Sequence, residues 1–259
     1  MSKIASAFQN GKAFIAFLTA GDPSPAKSVE YILAMADAGA DLIEIGIPFS
    51  DPVAEGAVIQ EANLRALAVG TTTDTVFDIV REARESTVVP LVFLTYLNPV
   101  FLYGYERFFT RCKELGVDGI IIPDLPFEEK HEVSDVAARF DVDVISLIAP
   151  TSAERIRTIA AEATGFVYVV SSMGVTGVRD AITTDLNAMV GLVREATTVP
   201  CAVGFGIATP EQAAAAAAVA DGAIVGSAIV KIIARDGENA APALADYVRA
   251  MKAAVRSAE

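Results

Sequence analysis

The chain has 259 residues, 53% of them hydrophobic and 20% charged, a composition that builds a core and excludes a disordered chain. Twenty Lys and Arg against 33 Asp and Glu leave a net charge of −13. Such an acidic surface argues against nucleic acid as a partner but leaves a small phosphate ligand open, because backbone N–H groups bind phosphate without a basic side chain.

The single histidine, His131, cannot build a three-histidine metal site, and a Ser–His–Asp triad would have to use it. Cys112 and Cys201 stand far apart, outside zinc-like spacing, and read as free thiols. The first ten residues are polar, and the apolar stretch 13–20 stops at Gly21-Asp22-Pro23. No signal peptide is recognisable, and no apolar run approaches the ~20 residues of a membrane span. A soluble cytoplasmic protein without a membrane partner is the expectation.

In chain order, a short leading helix over 2–9 precedes a strand over 13–19. A helix over 25–39 follows, with Ser24 as its N-cap and Gly39 at its end. Next come strand 41–46, helices 57–69 and 73–86, and strand 89–95. Helix 105–115, strand 118–123, helix 128–139, strand 142–148 and helix 152–163 continue the alternation. Strand 165–171, helix 185–196, strand 199–204, helix 210–219 and strand 221–225 lead to closing helices over 228–234 and 240–257. The strands are near-continuous Val, Ile and Leu runs, as in parallel strands covered on both faces. The alanine run 213–218 predicts a slim helix packed close to the sheet.

Turns of one type recur at strand entries, at 39–41, 116–119 and 220–222, and suggest repeated βα units. Eight such units in this length favour a closed (β/α)8 TIM barrel over an open doubly wound sheet, and no GxGxxG follows the first strand. No linker marks a boundary, so residues 1–259 are expected to form a single TIM-barrel domain. Its additions are the short N-terminal helix and a short phosphate-site helix after strand eight.

In such a barrel, chemistry sits at the carboxyl ends of the strands. Glu44 lies inside Leu42-Ile43-Glu44-Ile45-Gly46. Alternation puts Ile43 and Ile45 toward the helices and Glu44 into the barrel mouth. A desolvated carboxylate there has a raised pKa and can carry a proton both ways near neutral pH. A structural Glu bonded to backbone N–H groups is the competing reading. The next loop, 48–56, carries two further acids, Asp51 and Glu55.

Glycine-rich stretches follow the last three strands: 174–177, then 204–206, then Gly226-Ser227 at the start of a short helix. That grouping points to phosphate binding. The apolar loop 96–104 is a lid, an apolar substrate wall or a partner surface, unless it folds back on the rim. No strand end shows a Schiff-base lysine. Metal-free acid–base chemistry on a small phosphate ester is what remains.

Several segments resemble the tryptophan synthase α-subunit family. They are EIGIPFSDPVAEG at 44–56, SSMGVTG at 171–177, GFGIATPEQ at 204–212 and VGSAIVKI at 225–232, with LTAGDP at 18–23 and PDLP at 123–126. The resemblance implies a lyase of tryptophan biosynthesis that splits indole-3-glycerol phosphate into indole and glyceraldehyde 3-phosphate without a cofactor. Glu44 would be the acid–base group, Glu55 the carboxylate on the indole N–H, and Tyr168 a tyrosine beside the acid–base group. Phe17, Leu94 and Tyr96 would surround the indole, and Thr176 would orient the catalytic Glu. Gly177, Phe205, Gly206, Gly226 and Ser227 would cradle the phosphate. The implied partner is a β subunit holding pyridoxal phosphate, in an αββα heterotetramer, with Asp51, Pro126 and loop 96–104 at the interface. Position 55 is more commonly Asp, Ala57 replaces a common Pro, and Ser172-Met173 replaces a common Arg-Ser. A stand-alone lyase, an impaired allosteric partner and an unrelated phosphate-binding isomerase are the alternatives.

Overall fold

A computed structural model describes residues 3–171 and 185–258. Its strands are β1 Ala13–Thr19, β2 Leu42–Gly46, β3 Leu91–Leu94, β4 Gly119–Ile121, β5 Asp143–Val144, β6 Ser146–Ile148, β7 Val167–Val170, β8 Cys201–Gly204 and β9 Gly222–Val225. All run parallel in one sheet, ordered β5-β4-β3-β2-β1-β9-β8-β7-β6. The two ends of that order are consecutive in the chain. The predicted strand 142–148 is therefore two short strands, β5 on β4 and β6 on β7, with Ile145 between them donating its N–H to Ile120 O at 2.9 Å. One segment hands over from one neighbour to the other and carries the wall round into a TIM barrel, as the stagger of a closed barrel requires.

The helices are α1 Pro25–Asp37, α2 Ala57–Ala68, α3 Thr73–Arg84, α4 Leu97–Tyr103, α5 Tyr105–Leu115, α6 His131–Ala138, α7 Ala153–Ala161, α8 Leu186–Ala196, α9 Pro210–Val219, α10 Ser227–Asp236 and α11 Ala241–Arg256. None among the described residues is long and apolar enough to cross a membrane. The alanine-rich α9 buries Ala213, Ala216 and Ala217. Both cysteines are buried free thiols.

Side-chain alternation divides the strands as period two demands. Phe14, Ala16, Leu18, Ile43, Ile45, Phe93 and Ile120 face the helices, while Ile15, Leu42, Val92, Ile121, Ile145, Phe166 and Ile224 fill the interior. The expected leading helix is a single 3-10 turn, Ile4–Phe8. It plugs the lower end: Ile4, Ala7 and Phe8 join the interior cluster, and Phe8 meets Phe166 at 6.0 Å between ring centroids. Glycine makes that fit possible, since a Cβ at Gly165 or Gly119 would come within 3.1 or 3.0 Å of Ile4 Cδ1.

The recurring strand-entry turns have a common task. Asp41 accepts the Phe14 N–H at 2.7 Å, Asp118 the Leu91 N–H at 3.2 Å and Asp221 the Cys201 N–H at 2.9 Å. In each case the aspartate entering one strand bonds the backbone of the strand before it in the barrel, where the ladder has no other partner to offer. Each aspartate also meets a cation: Lys252 at 2.6 Å for Asp41, Arg84 at 3.4 Å for Asp118 and Arg194 at 3.1 Å for Asp221.

Candidate active site

Strand β2 sends Leu42 into the barrel core and, one step higher, Glu44 into its mouth. Glu44 is 1% exposed. Its register partners are Phe17 on β1 and Val92 on β3, both apolar. Among the described residues Oε1 has no hydrogen-bond partner. Burial alone raises the carboxyl pKa to about 8, so the group is mostly protonated at neutral pH. The competing structural reading needs backbone donors on this carboxylate, and Oε1 meets none among the described residues.

Tyr168 lies on β7, also in the interior cluster. Burial raises its phenol pKa, and the charge of Glu44 adds to that rise, so the phenol senses the carboxylate. Gly204 gives the ring its place, since a Cβ there would stand 2.7 Å from Tyr168 Cε1.

Glu55 is the second carboxylate, 7% exposed in the loop between β2 and α2. Burial raises its pKa, while the hydrogen bond from Asn63 opposes the rise, leaving it at about 7. Asn63 Nδ2 donates to Oε2 at 2.7 Å, and Gln60 Nε2 donates to the Glu55 carbonyl at 2.7 Å. The Ala54 N–H donates to the Tyr96 hydroxyl at 3.0 Å, and the Tyr96 ring packs tilted against Phe49, 5.4 Å between centroids. Burial, and next the Glu55 charge, raise the Tyr96 pKa. This mouth therefore holds two buried carboxylates, the one inside the strand less acidic than the one on the loop.

Phe17 is wedged between glycines: a Cβ at Gly46 would come within 2.8 Å of its ring, and one at Gly226 within 3.2 Å. It forms an apolar cluster with Ile59 and Ala62 of α2 and Val230 of α10, against which Leu94 packs. The structure thus joins the two predicted apolar residues of β1 and β3 to three that sequence reasoning missed. Ile59 and Ala62 follow a helical stripe continued by Ala66, and Asn63 lies on that same buried stripe. A polar residue at a core-facing helical position was the available signal for Asn63.

The predicted phosphate loops also lie at strand ends. Phe205 and Gly206, directly after β8, have φ of 76° and 81°. Phe205 is an unusual residue for left-handed backbone. It is held there by the Ser171 hydroxyl, which donates to its carbonyl at 2.7 Å. Helix α10 starts at Ser227, one residue earlier than expected, with Gly226 as N-cap and no side-chain cap bond. Its first-turn N–H groups have no carbonyl to meet within the helix. Thr176 and Gly177, like Ser172 and Met173, lie outside the described residues.

The segment 96–104 corrects the sequence reading, which made it a loop. It forms α4, with Pro99 in the first turn, where no N–H is needed. The Leu97 N–H donates to Asp124 Oδ1 at 2.9 Å. This cap comes from the loop after β4, so no pattern within 96–104 announces it. The helix divides the two earlier readings between its faces. Val100 is buried, while Phe101 and Leu102 are 61% and 73% exposed, with Val53 75% exposed in the loop after β2. His131 is an exposed residue paired with Asp135 at 3.2 Å.

A sequence model of the tryptophan synthase alpha chain family matches residues 4–256. The chain belongs to the tryptophan synthase α-chain family. The tryptophan synthase alpha chain of Lacticaseibacillus casei is 52% identical over 255 residues, covering 98% of this chain and 96% of the relative. That of Lactiplantibacillus plantarum is 51% identical over 256 residues, covering 98% and 97%. Among solved structures, the tryptophan synthase α subunit of Legionella pneumophila superposes with a TM-score of 0.89 at 36% identity, over 99% of both chains. A chain from the α2β2 tryptophan synthase complex of Pyrococcus furiosus superposes at 0.86 and 37% identity, over 94% of this chain and 99% of that one. Tryptophan synthase α chains of this similarity leave no room for the unrelated isomerase barrel.

Proposed function

We propose that this chain cleaves indole-3-glycerol phosphate to indole and glyceraldehyde 3-phosphate as the α chain of tryptophan synthase, with Glu44 as the acid–base group. The carrying observation is a carboxyl group buried at a strand end with Oε1 unpartnered among the described residues and a pKa of about 8. Such a group holds a proton at neutral pH and can deliver it.

The proton count closes within the site. Protonated Glu44 gives its proton to indole C3, and positive charge develops on the ring nitrogen. Glu55, the more acidic of the two, is the carboxylate that accepts the indole N–H and stabilises that charge. Ionised Glu44 then takes the proton of the side-chain hydroxyl next to the ring. The C–C bond breaks, its electron pair returns to the ring, and the hydroxyl carbon becomes the aldehyde. Glu44 ends protonated, ready for the next substrate. Tyr168, whose phenol pKa is raised by burial and next by the Glu44 charge, keeps its proton.

Phe17, Leu94 and Tyr96 supply the apolar walls for the indole ring. The left-handed turn at Phe205 and Gly206, with the N-terminus of α10 at Gly226 and Ser227, supplies backbone N–H groups for the phosphate. Thr176 and Gly177 complete this assignment from the sequence. The cleavage calls on side chains of this chain alone, and pyridoxal phosphate is assigned to the β partner. Exposed Val53, Phe101 and Leu102 give that partner an apolar rim to cover.

The deciding experiment measures indole release from indole-3-glycerol phosphate by the purified chain, alone and with a tryptophan synthase β subunit. A low rate that rises strongly with β supports the complex-dependent lyase. A high rate unmoved by β identifies a stand-alone lyase. No indole in either case overturns the assignment and leaves a binding partner of β.

A further inference from the structure

Glu55 stands just before a helix, in a loop that has little regular structure to hold a side chain. Helix α2 begins two residues later, and its N-cap is Gly56, which has no side chain to cap the first turn. A carboxylate at such a place would ordinarily turn to the backbone N–H groups of the helix start. Here it is bonded instead by Asn63, at 2.7 Å, from deeper in the same helix. Asn63 is 4% exposed on the stripe with Ile59, Ala62 and Ala66. An amide among apolar neighbours is costly unless paired, and asparagine is a poor helix former. Packing alone would favour leucine, which has a similar shape. The amide is explained by its partner.

We propose that Asn63 is the positioning residue of Glu55, drawing the carboxylate back against α2 by its Oε2 so that it meets the ring nitrogen of the substrate from one fixed direction. The inference rests on the role given to Glu55 above. Two further contacts hold the backbone from which the side chain departs, Gln60 on the Glu55 carbonyl and the Tyr96 hydroxyl on the Ala54 N–H. Two residues of α2 and the Tyr96 hydroxyl therefore fix Glu55 and the backbone before it, with Asn63 alone on the carboxylate. The hydrogen bond also favours its charged form against burial. Other charged groups nearby are accounted for. Tyr96, the N-cap of α4, senses the Glu55 charge. Glu44 on β2 is the other carboxylate of the mouth. Arg65 of α2 is turned away, in a two-pronged pair with Asp22 at 2.7 and 2.8 Å.

The pair also has a length rule. If Asn63 sets the position of the carboxylate, one methylene can move from residue 55 to residue 63 without loss. Glu55→Asp alone should break the bond, and Glu55→Asp with Asn63→Gln should restore it.

The test has two readouts on the full-length chain. The first is a carbon-13 NMR titration of the Glu55 carboxyl without substrate, assigned with Glu55→Gln. The second is the pH dependence of kcat and KM for indole release, with β subunit present. Asn63→Leu should move the Glu55 midpoint up by about one pH unit. It should lower kcat about 10- to 100-fold near neutral pH, with little change in KM. Asn63→Asp keeps the shape, replaces donors with a second carboxylate, and should shift the midpoint at least as far. It serves where Asn63→Leu does not fold. An unmoved midpoint in both variants would overturn the proposal, as would a double variant no better than Glu55→Asp alone. If the wild-type chain releases no indole, the reading of function fails, and with it the catalytic half of this inference. The titration still decides whether Asn63 governs the carboxylate.

Discussion

The two ends of the barrel interior are made by the same strands and are closed by opposite means. At the lower end, Ile4, Ala7 and Phe8 fill the space among Ile15, Leu42, Ile145 and Phe166, and glycines at 119 and 165 let Ile4 in. At the mouth, two residues further along β2, Leu42 gives way to Glu44, and the plug gives way to loops. The lower end is held by apolar contact and strand-entry aspartates, each bonded to a backbone N–H and a cation. The mouth holds carboxylates whose pKa values are raised by burial, and among the described residues neither is in an ion pair. An acid at the lower end is a staple, whereas an acid at the mouth is, in the function proposed above, a reagent. The difference lies in the partners and not in the residue type.

That contrast yields graded expectations. The largest effect belongs to Glu44→Gln, which keeps the shape and removes the proton. Indole release should fall by roughly 100- to 10,000-fold, the range expected for a general acid–base group. Wild-type-like release by this variant would end the assignment.

At the lower end, Ile4→Ala should act on stability and leave the chemistry alone. Losing a fully buried branched side chain costs about 2–5 kcal/mol. Urea unfolding should show that loss while kcat and the pH profile of the remaining folded enzyme stay unchanged. A changed pH profile would mean that the two ends are coupled.

The same Glu44→Gln variant sharpens the contrast from the stability side. The Glu44 pKa is raised from 4.5 unfolded to about 8 folded. The folded state therefore holds a proton that the unfolded state has released throughout that window, and wild-type stability falls as pH rises through it. The variant should be the more stable protein above the lower limit. Its advantage should grow up to about pH 8, by a few kcal/mol at most, and stay constant beyond. Thermal unfolding at a series of pH values checks the sign.

A smaller effect concerns rate against pH in the wild type. In the proposed mechanism Glu44 starts protonated and Glu55 ionised, so kcat/KM should be bell-shaped, with limbs near about 7 and about 8. The Asn63 variants should raise the lower limb and flatten the bell. Smallest of all, Phe101→Ser on the exposed face of α4 should leave stability within ~0.5 kcal/mol and weaken only the response to added β subunit. An unchanged response in a titration with β would remove α4 from the interface.

Local pattern carried much of this protein. Period-two alternation in β2 points Glu44 inward, because side-chain direction in a strand follows from sequence position alone. The alternation of apolar runs with helical stripes declared the barrel, and glycine clusters at 204–206 and at Gly226 fell just beyond β8 and β9, where the proposed function places the phosphate. What stayed illegible depends on contacts between distant residues. The handover at Ile145 is set by the geometry of closing a barrel, which no single strand contains. Helix α4 needs Asp124, from another loop, to cap it. The 2.7 Å bond from Asn63 to Glu55 joins a helix interior to a loop, and a lone polar residue on an apolar stripe does not name its partner. Periodicity encodes which way a side chain points, and only the folded chain determines what it meets there.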